Sequence, residues 1–471
     1  MEDAEILKIL YMQNPWWEGK AAQAPEKKRG EFHLLKKTLE EKQITAILGP
    51  RRVGKSVLMQ QLINDLLETG VPPKRILFAQ LDEPRLEGEK GLLITRILEA
   101  YYSSILGKSP IDQVDKVFVF LDEVQNVGKW AESLKGYYDR NYNIKFTVSG
   151  SSSAGITRGS SESLAGRVNL QLILTLKFAD YLMFKGITAP HFQQQIKSAL
   201  DDDNPELLWA SLKKSSIDLA PSQQKIETLL GEYMVKGGYI ELLDKDNYSR
   251  NLQYLKDLLQ LVIYKDLVKV FGIRNPKNME DLLLFLANHS GELFSEASTA
   301  SKLGMKNQTI SEYIGYLENI YLVSASRIYA ANRSKQIRNP RKIYISDSGL
   351  RNALNGTYSP KALTDGKDAG LMAETVVHSH LLHLAFYLDS YNAKCYYSKN
   401  GNEVDNILQY SKKAVPIEVK YQNSINSEDA LGCAKFMKEN KSPFGIIITK
   451  NRLDFRGNIF YIPLWHFLLI C

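Results

Sequence analysis

The run Gly49-Pro50-Arg51-Arg52-Val53-Gly54-Lys55-Ser56 has the spacing G-x-x-x-x-G-K-S and follows an apolar stretch at 44–48. A strand that feeds a glycine-bearing loop and opens a helix aims backbone N–H groups and the positive helix end at a phosphate. Gly49 and Gly54 permit the tight path, Lys55 can reach the β- and γ-phosphates, and the Ser56 hydroxyl can hold Mg²⁺. Residues Gly49 to Ser56, with Val57 at the start of the expected helix 57–67, are therefore the candidate contacts to ATP and its Mg²⁺. The alternative is a bland glycine turn, which the strand before the loop and the helix after it disfavour.

Some sixty residues on, the apolar run 117–121 ends in Asp122-Glu123, the Walker B pattern. Phosphoryl transfer needs charge neutralisation and a positioned water more than covalent chemistry. Asp122 is the expected Mg²⁺ ligand, acting through water, and Glu123 the group that polarises the attacking water. The next strand ends in Thr147-Val148-Ser149-Gly150-Ser151, which places Ser149 as a candidate sensor beside the γ-phosphate, with a plain loop as the alternative. Arg167 is a candidate finger for the charge on the transferring phosphoryl group, in a homo-oligomer from a neighbouring chain. Arg140 is its rival, and a surface arginine is the alternative to both.

A second set of carboxylates lies far downstream: Glu374 on an expected helix, Asp405 in Glu403-Val404-Asp405, and Glu418 with Lys420 in Ile417-Glu418-Val419-Lys420. Strand alternation puts Glu418 and Lys420 on one face. This order is the pattern of a PD-(D/E)XK nuclease core. Glu374, Asp405 and Glu418 would hold Mg²⁺, and Lys420 would orient the water or steady the transition-state charge. The alternative is a nuclease-like fold retained for binding, with salt bridges at these positions. His378, His380 and His383 share the helix of Glu374, but at roughly 100° per residue they point apart, so packing is expected rather than zinc.

The elements that must position these groups change character along the chain. Residues 1–30 form an arm in which Pro15-Trp16-Trp17 can plug a groove and Glu26-Lys27-Lys28-Arg29-Gly30 reads as a solvated link. Residues 31–190 alternate helices with short apolar strands at 44–48, 75–81, 117–121 and 144–148, which implies a parallel sheet between helices. Residues 191–275 read as a helical lid. Residues 276–348 read as a winged helix: a helix over 295–303 stopping at Gly304, a second over 308–321, and strands 323–330 and 342–345 joined by a basic hairpin. DNA contact through Lys306 and the wing residues Arg333, Lys335, Arg338 and Arg341 is the expected use, with packing between domains as the alternative. Residues 349–471 return to a mixed pattern with strands at 393–398, 404–409, 414–420 and 444–449, ending in a buried strand and helix.

Composition bounds these readings. With 471 residues and 44% hydrophobic content the chain can fill several cores, and its net charge of +7 permits nucleic acid as a partner without requiring it. The three cysteines are too widely spaced for a metal pair or a disulfide framework. No stretch reaches the ~20 apolar residues that span a bilayer, and the first residues lack the basic start of a signal peptide, so a cytoplasmic protein without a membrane partner is expected.

The phosphate loop, Leu81-Asp82-Glu83-Pro84-Arg85-Leu86, Leu121-Asp122-Glu123-Val124-Gln125 with Trp130, and Ser149-Gly150-Ser151 followed by Gly166-Arg167 together resemble a prokaryotic AAA-type ATPase family. The resemblance runs from about residue 14 to the end. It implies an α/β protein with a P-loop ATPase core, a helical lid, a winged helix and a C-terminal restriction-endonuclease-like domain. Two segments depart from the family: Gly237-Gly238-Tyr239-Ile240-Glu241 stands for Gly-Gly-Tyr-Pro-Glu, and Leu174-Thr175-Leu176-Lys177-Phe178 for an apolar strand led by proline.

Overall fold

A computed structural model describes residues 3–86, 91–152, 164–330, 332–390, 392–399 and 403–471, with the side chains of 333, 335 and 337 outside that set. The chain divides into two compact units, Met1–Leu174 and Thr175–Cys471.

The first unit is built on five parallel strands, β1 (Ile44–Leu48), β2 (Ile76–Gln80), β3 (Val117–Asp122), β4 (Ile144–Gly150) and β5 (Val168–Leu172), in the order β2-β3-β4-β1-β5. The unbroken apolar runs of β1 and β3 are buried throughout, as a parallel sheet covered on both faces requires. The helix Lys55–Glu68 turns Leu58, Met59, Leu62, Ile63 and Leu66 inward at helical spacing. β5 is a strand beyond the four expected from the sequence. It pairs with β1 from Ile44↔Val168 to Leu48↔Leu172, and so ends where β1 ends.

The N-terminal arm closes the open edge of this sheet. Asn14 makes two bonds to the backbone of β2, donating from Nδ2 to the Phe78 carbonyl (2.8 Å) and accepting the Phe78 N–H (2.6 Å). Both indoles, of Trp16 and Trp17, donate to the Ile76 carbonyl (3.0 and 2.9 Å). Side chains thus satisfy edge groups that would otherwise invite another strand.

The second unit carries nine strands: β6 (Leu293–Phe294), β7 (Val323–Ile328), β8 (Arg341–Ile345), β9 (Lys394–Ser398), β10 (Val404–Tyr410), β11 (Lys413–Val419), β12 (Gly445–Thr449), β13 (Asp454–Arg456) and β14 (Ile459–Pro463). Their order is β13-β14-β12-β11-β10-β9-β7-β8-β6. The parallel pair β7–β9, through Arg327↔Tyr396 and Ile328↔Tyr397, makes one sheet of segments 276–348 and 349–471. The helix Gly366–Leu388 packs Met372, Val376 and Leu381 into a core shared with Leu408, Val415 and Ile417 of β10 and β11. Ser295 and Gly304 bound the helix Glu296–Leu303, the glycine at a φ of 64° that suits it. Between β7 and β8 the chain forms a short helix, Arg333–Arg338, where a hairpin is expected from the sequence. The expected terminal strand and helix are present as β14 and Leu464–Phe467, both buried. Cys395, Cys433 and Cys471 are free, and among the described residues no helix is long and apolar enough to cross a membrane.

Candidate functional site

The phosphate loop leaves β1 at Gly49 and enters the helix at Lys55. Gly49 has φ 152°, and a Cβ there would stand 1.8 Å from the Ile173 carbonyl oxygen, so only glycine fits. Gly54, at φ 91°, turns the chain into the helix. Pro50 and Val53 are buried, Arg51, Gly54 and Val57 half-buried, and Arg52 and Ser56 exposed. The buried Lys55 donates from Nζ to the carbonyls of Gly49 (3.0 Å) and Pro50 (2.9 Å), which holds the ammonium over the loop.

Arg29 braces the loop from behind, where a solvated link is expected from the sequence. Its Nη1 donates to the Val53 and Leu174 carbonyls, both at 3.0 Å, and its Nε pairs with Glu31 at 2.7 Å; the side chain is 4% exposed. Sequence alone offers no sign of this, because Arg29 sits in a charged run and its partners lie 24 and 145 residues away.

β3 and β4 bring the two carboxylates to the loop. The Ser56 hydroxyl donates to Asp122 Oδ2 at 2.6 Å, and the Ser149 hydroxyl donates to Asp122 Oδ1. Burial pushes the Asp122 carboxyl above its usual range, and the two serine hydroxyls oppose that shift. Ser149 is fully buried and also accepts the Glu123 N–H (3.0 Å). Its hydroxyl thus ties Asp122 to the backbone of Glu123. Glu123 stands at φ 56°, a left-handed conformation that costs a non-glycine residue about 1 kcal/mol and persists where neighbours impose it. Gln125 supplies the neighbour: its Nε2 donates to Glu123 Oε2 and to Ser151 Oγ (3.1 Å). A hydroxyl and a carboxylate of hard oxygen donors converge between loop and strand, a set that fits Mg²⁺.

Arg167 lies elsewhere. Its carbonyl accepts from Ile44 N (2.9 Å) at the start of β1, about 13 Å along the strand from the loop at the other end. The side chain pairs with Asp139 at 2.7 Å, so it is not a finger for the nucleotide of its own chain. Arg140 is exposed.

In the second unit the four expected residues do come together. Glu418 accepts the Asp405 N–H (3.2 Å), Asp405 accepts the Val419 N–H (3.0 Å), and Lys420 pairs with Glu418 at 2.6 Å. The group contains residues that the motif does not predict. Lys342 Nζ lies 2.8 Å from Glu403, 3.4 Å from Asp405 and 3.6 Å from Glu374, while the Tyr344 hydroxyl donates to Glu374 at 2.7 Å. Burial works to lower the pKa of Lys342, but Glu374, Asp405 and Glu403 together hold it above the usual lysine range. Burial, and then the Asp405 charge, raise the carboxyls of Glu374 and Glu418. Among the described residues no group of three or more His, Cys, Asp or Glu side chains is arranged to hold a metal. The Lys342 ammonium stands between Glu374 and Asp405, two of the three carboxylates expected to hold Mg²⁺, and Lys420 stands on the third, Glu418. Lys342 and Tyr344 sit two apart on β8 and so share a face, but only the pairing of β8, β7, β9 and β10 carries that face to Asp405.

The histidines of the same helix pack, as their angular spacing implies. His378 stacks on Tyr344 and bonds Asn406 (2.9 Å), and His380 accepts the Phe178 N–H (2.9 Å).

Three family models match the chain: an AAA domain over residues 41–182, a domain of unknown function (DUF8612) over 227–361, and a second (DUF4143) over 369–467. An uncharacterized protein of Haemophilus influenzae is 21% identical over 82% of this chain and 84% of its own length. One from Methanocaldococcus jannaschii is 26% identical over 82% of this chain and 76% of its own length. A solved structure, the Walker-type ATPase of Pyrococcus abyssi, is 16% identical and covers 72% of this chain and 99% of its own, with a TM-score of 0.42. The family match falls on the segment that holds the phosphate loop, Asp122 and Glu123, and residues 41–182 are accordingly an AAA-type, ATP-binding P-loop domain.

Proposed function

We propose that the protein hydrolyses ATP with Mg²⁺ in its first unit and uses the second to engage a partner. The observation that carries hydrolysis is Glu123, whose carboxylate is oriented by Gln125 beside the Asp122–Ser56 pair. Mg²⁺, held by Ser56 and through water by Asp122, would neutralise charge on the β- and γ-phosphates. Lys55 exchanges its loop carbonyls for phosphate oxygens, and the N–H groups at the start of the helix Lys55–Glu68 bind alongside it. Glu123 draws the proton side of the attacking water.

Two substitutions separate binding from turnover. Lys55→Ala lowers ATP affinity by about a hundredfold, the worth of a charge-assisted phosphate contact. Glu123→Gln keeps the affinity and slows phosphate release by about a hundredfold or more. Equal binding and turnover in Lys55→Ala and the parent chain would refute the assignment.

For the partner, the favoured chemistry is DNA, docked and not cut. Lys306, Asn307 and Gln308 are exposed at the start of the helix Asn307–Asn319, and Arg338 is exposed nearby in sequence. Arg341 is withdrawn from this surface by its pair with Glu296 (2.8 Å), and the side chains of Arg333 and Lys335 lie outside the described residues. Docking is preferred to cleavage because Lys342 stands among the carboxylates that a nuclease would give to its metal. Fluorescence anisotropy with duplex DNA at two salt concentrations tests the surface: Lys306→Glu weakens binding and flattens its salt dependence.

A further inference from the structure

Strand β8 runs between β7 and β6, with Lys342 opposite Ser326 on one side and Leu293 on the other. Its backbone is thus held from both flanks while its side chain, 3% exposed, reaches the C-terminal carboxylates. Three of them, Glu374, Glu403 and Asp405, lie within 3.6 Å of one ammonium. Lys420 cannot take this part, since its ammonium is engaged by Glu418 at 2.6 Å.

A divalent ion and an ammonium place opposite demands on such a group. Mg²⁺ draws oxygens to about 2.1 Å in an octahedron and gives up its water reluctantly. An ammonium bonds oxygens at wider spacing and stays buried only when they replace its hydration. Two cations among the same oxygens repel each other strongly where water is excluded. The ammonium is tethered by β8, so it is present at a local concentration no free ion matches.

We propose that Lys342 takes the place of the divalent cation in the C-terminal cluster, making it a lysine-locked site that excludes Mg²⁺ and Mn²⁺. The inference rests on the docking reading of the second unit and names the device that enforces it. Glu374, Glu403 and Asp405 then join three elements, the helix Gly366–Leu388, the segment leading into β10, and β10 itself, to β8 through one internal cation. Removing that cation should expose a metal site that the parent protein lacks.

The test is Mn²⁺ binding by the nucleotide-free full chain at pH 8, followed by calorimetry and by the paramagnetic signal of free Mn²⁺. A Ser56→Ala background silences the nucleotide-side metal. The parent in this background should bind no Mn²⁺ that depends on Asp405. Lys342→Met, which keeps the apolar stem, should gain one Mn²⁺ per chain with affinity roughly tenfold or more above the parent, and adding Asp405→Asn should abolish the gain. A folded Lys342→Met that gains no site overturns the lock. Should Lys342→Met fail to fold by circular dichroism, Asp405→Asn alone decides: unchanged Mn²⁺ binding supports the lock, and a lost Mn²⁺ overturns it. Mn²⁺ bound by the parent through Asp405 without DNA cleavage removes the lock and leaves docking standing, whereas metal-dependent cleavage by the parent removes both.

Discussion

The two carboxylate groups of this chain are held in opposite ways. In the first unit, Asp122 and Glu123 are oriented by neutral donors: the hydroxyls of Ser56 and Ser149 and the amide of Gln125. In the second, Glu374, Glu403 and Asp405 surround the ammonium of Lys342, and Glu418 meets that of Lys420. Neutral donors fix a carboxylate's direction and leave its charge for a cation that arrives with the substrate. An ammonium fixes direction and offsets part of the charge at once, and it occupies the space between the oxygens that an incoming ion would need. Similar residue types therefore stand in an AAA-type ATP-binding domain in one place and around buried ammonium groups in the other.

The first unit does contain a buried ion pair, but it stands behind the loop. Arg29→Met should sharpen the contrast, because it takes the cation from the buried Glu31 carboxylate and releases the Val53 and Leu174 carbonyls. Urea unfolding should show the first unit weakened by about 3 kcal/mol or more. ATP affinity should fall with it, since Val53 belongs to the loop; unchanged stability would mean that the pair is not bracing anything.

Gln125 offers a way to break the comparison. Gln125→Lys puts an ammonium on Glu123 in place of an amide, imitating the second unit. Turnover should drop by about a hundredfold, against about tenfold for Gln125→Ala, with ATP affinity kept in both. Steady-state phosphate release and a binding titration read the two quantities separately. Equal losses in the two variants would show that the charge left on Glu123 does not matter.

The smallest effect is a pH dependence centred on the second unit. Burial depresses His378 and His466 to about 4 and His380 to about 3. Groups held neutral in the fold lend stability that is present above about pH 6.5 and lost as the pH falls toward 4. Glu374 and Glu418 act against this: their raised pKa values give stability that is present in acid and lost as the pH rises. Asp347, also raised by burial, acts on the side of the two carboxyls, so the share of the histidines is read by difference between the parent and a variant in the change of unfolding free energy from pH 7 to pH 5. His380→Gln, which can still donate to Val376 and accept from Phe178, should lose less stability than the parent over that range; an equal or larger loss would place the titrating groups elsewhere.

Much of the nucleotide site was legible because its parts are local. Gly49, Gly54, Lys55 and Ser56 lie within eight residues, and Asp122-Glu123 ends an apolar run whose length marks a buried strand. Apolar content alone marked β1 to β4, whereas β5, with Asn169 and Gln171 alternating among its apolar residues, did not stand out. The E-x-K pair on β11 was legible for the same reason, since strand alternation brings Glu418 and Lys420 together without help from the rest of the fold. The partners of Ser149 and Arg167 were not legible, because a motif says which strand carries a residue and not which side chains it meets.

The sequence by itself determined the phosphate loop, the strand that bears Asp122, and the set of carboxylates at 374, 405 and 418, because dihedral preference and apolar periodicity act over a few residues. Tertiary structure alone decided what those carboxylates hold. Lys342 is 63 residues from Asp405 in the chain and meets it only because β8 joins the sheet of β10 through β7 and β9. Arg29 likewise reaches Leu174 across 145 residues. Charge pairing in a buried site depends on distance in space and on the water that packing removes, and neither is written in the spacing of residues along a chain.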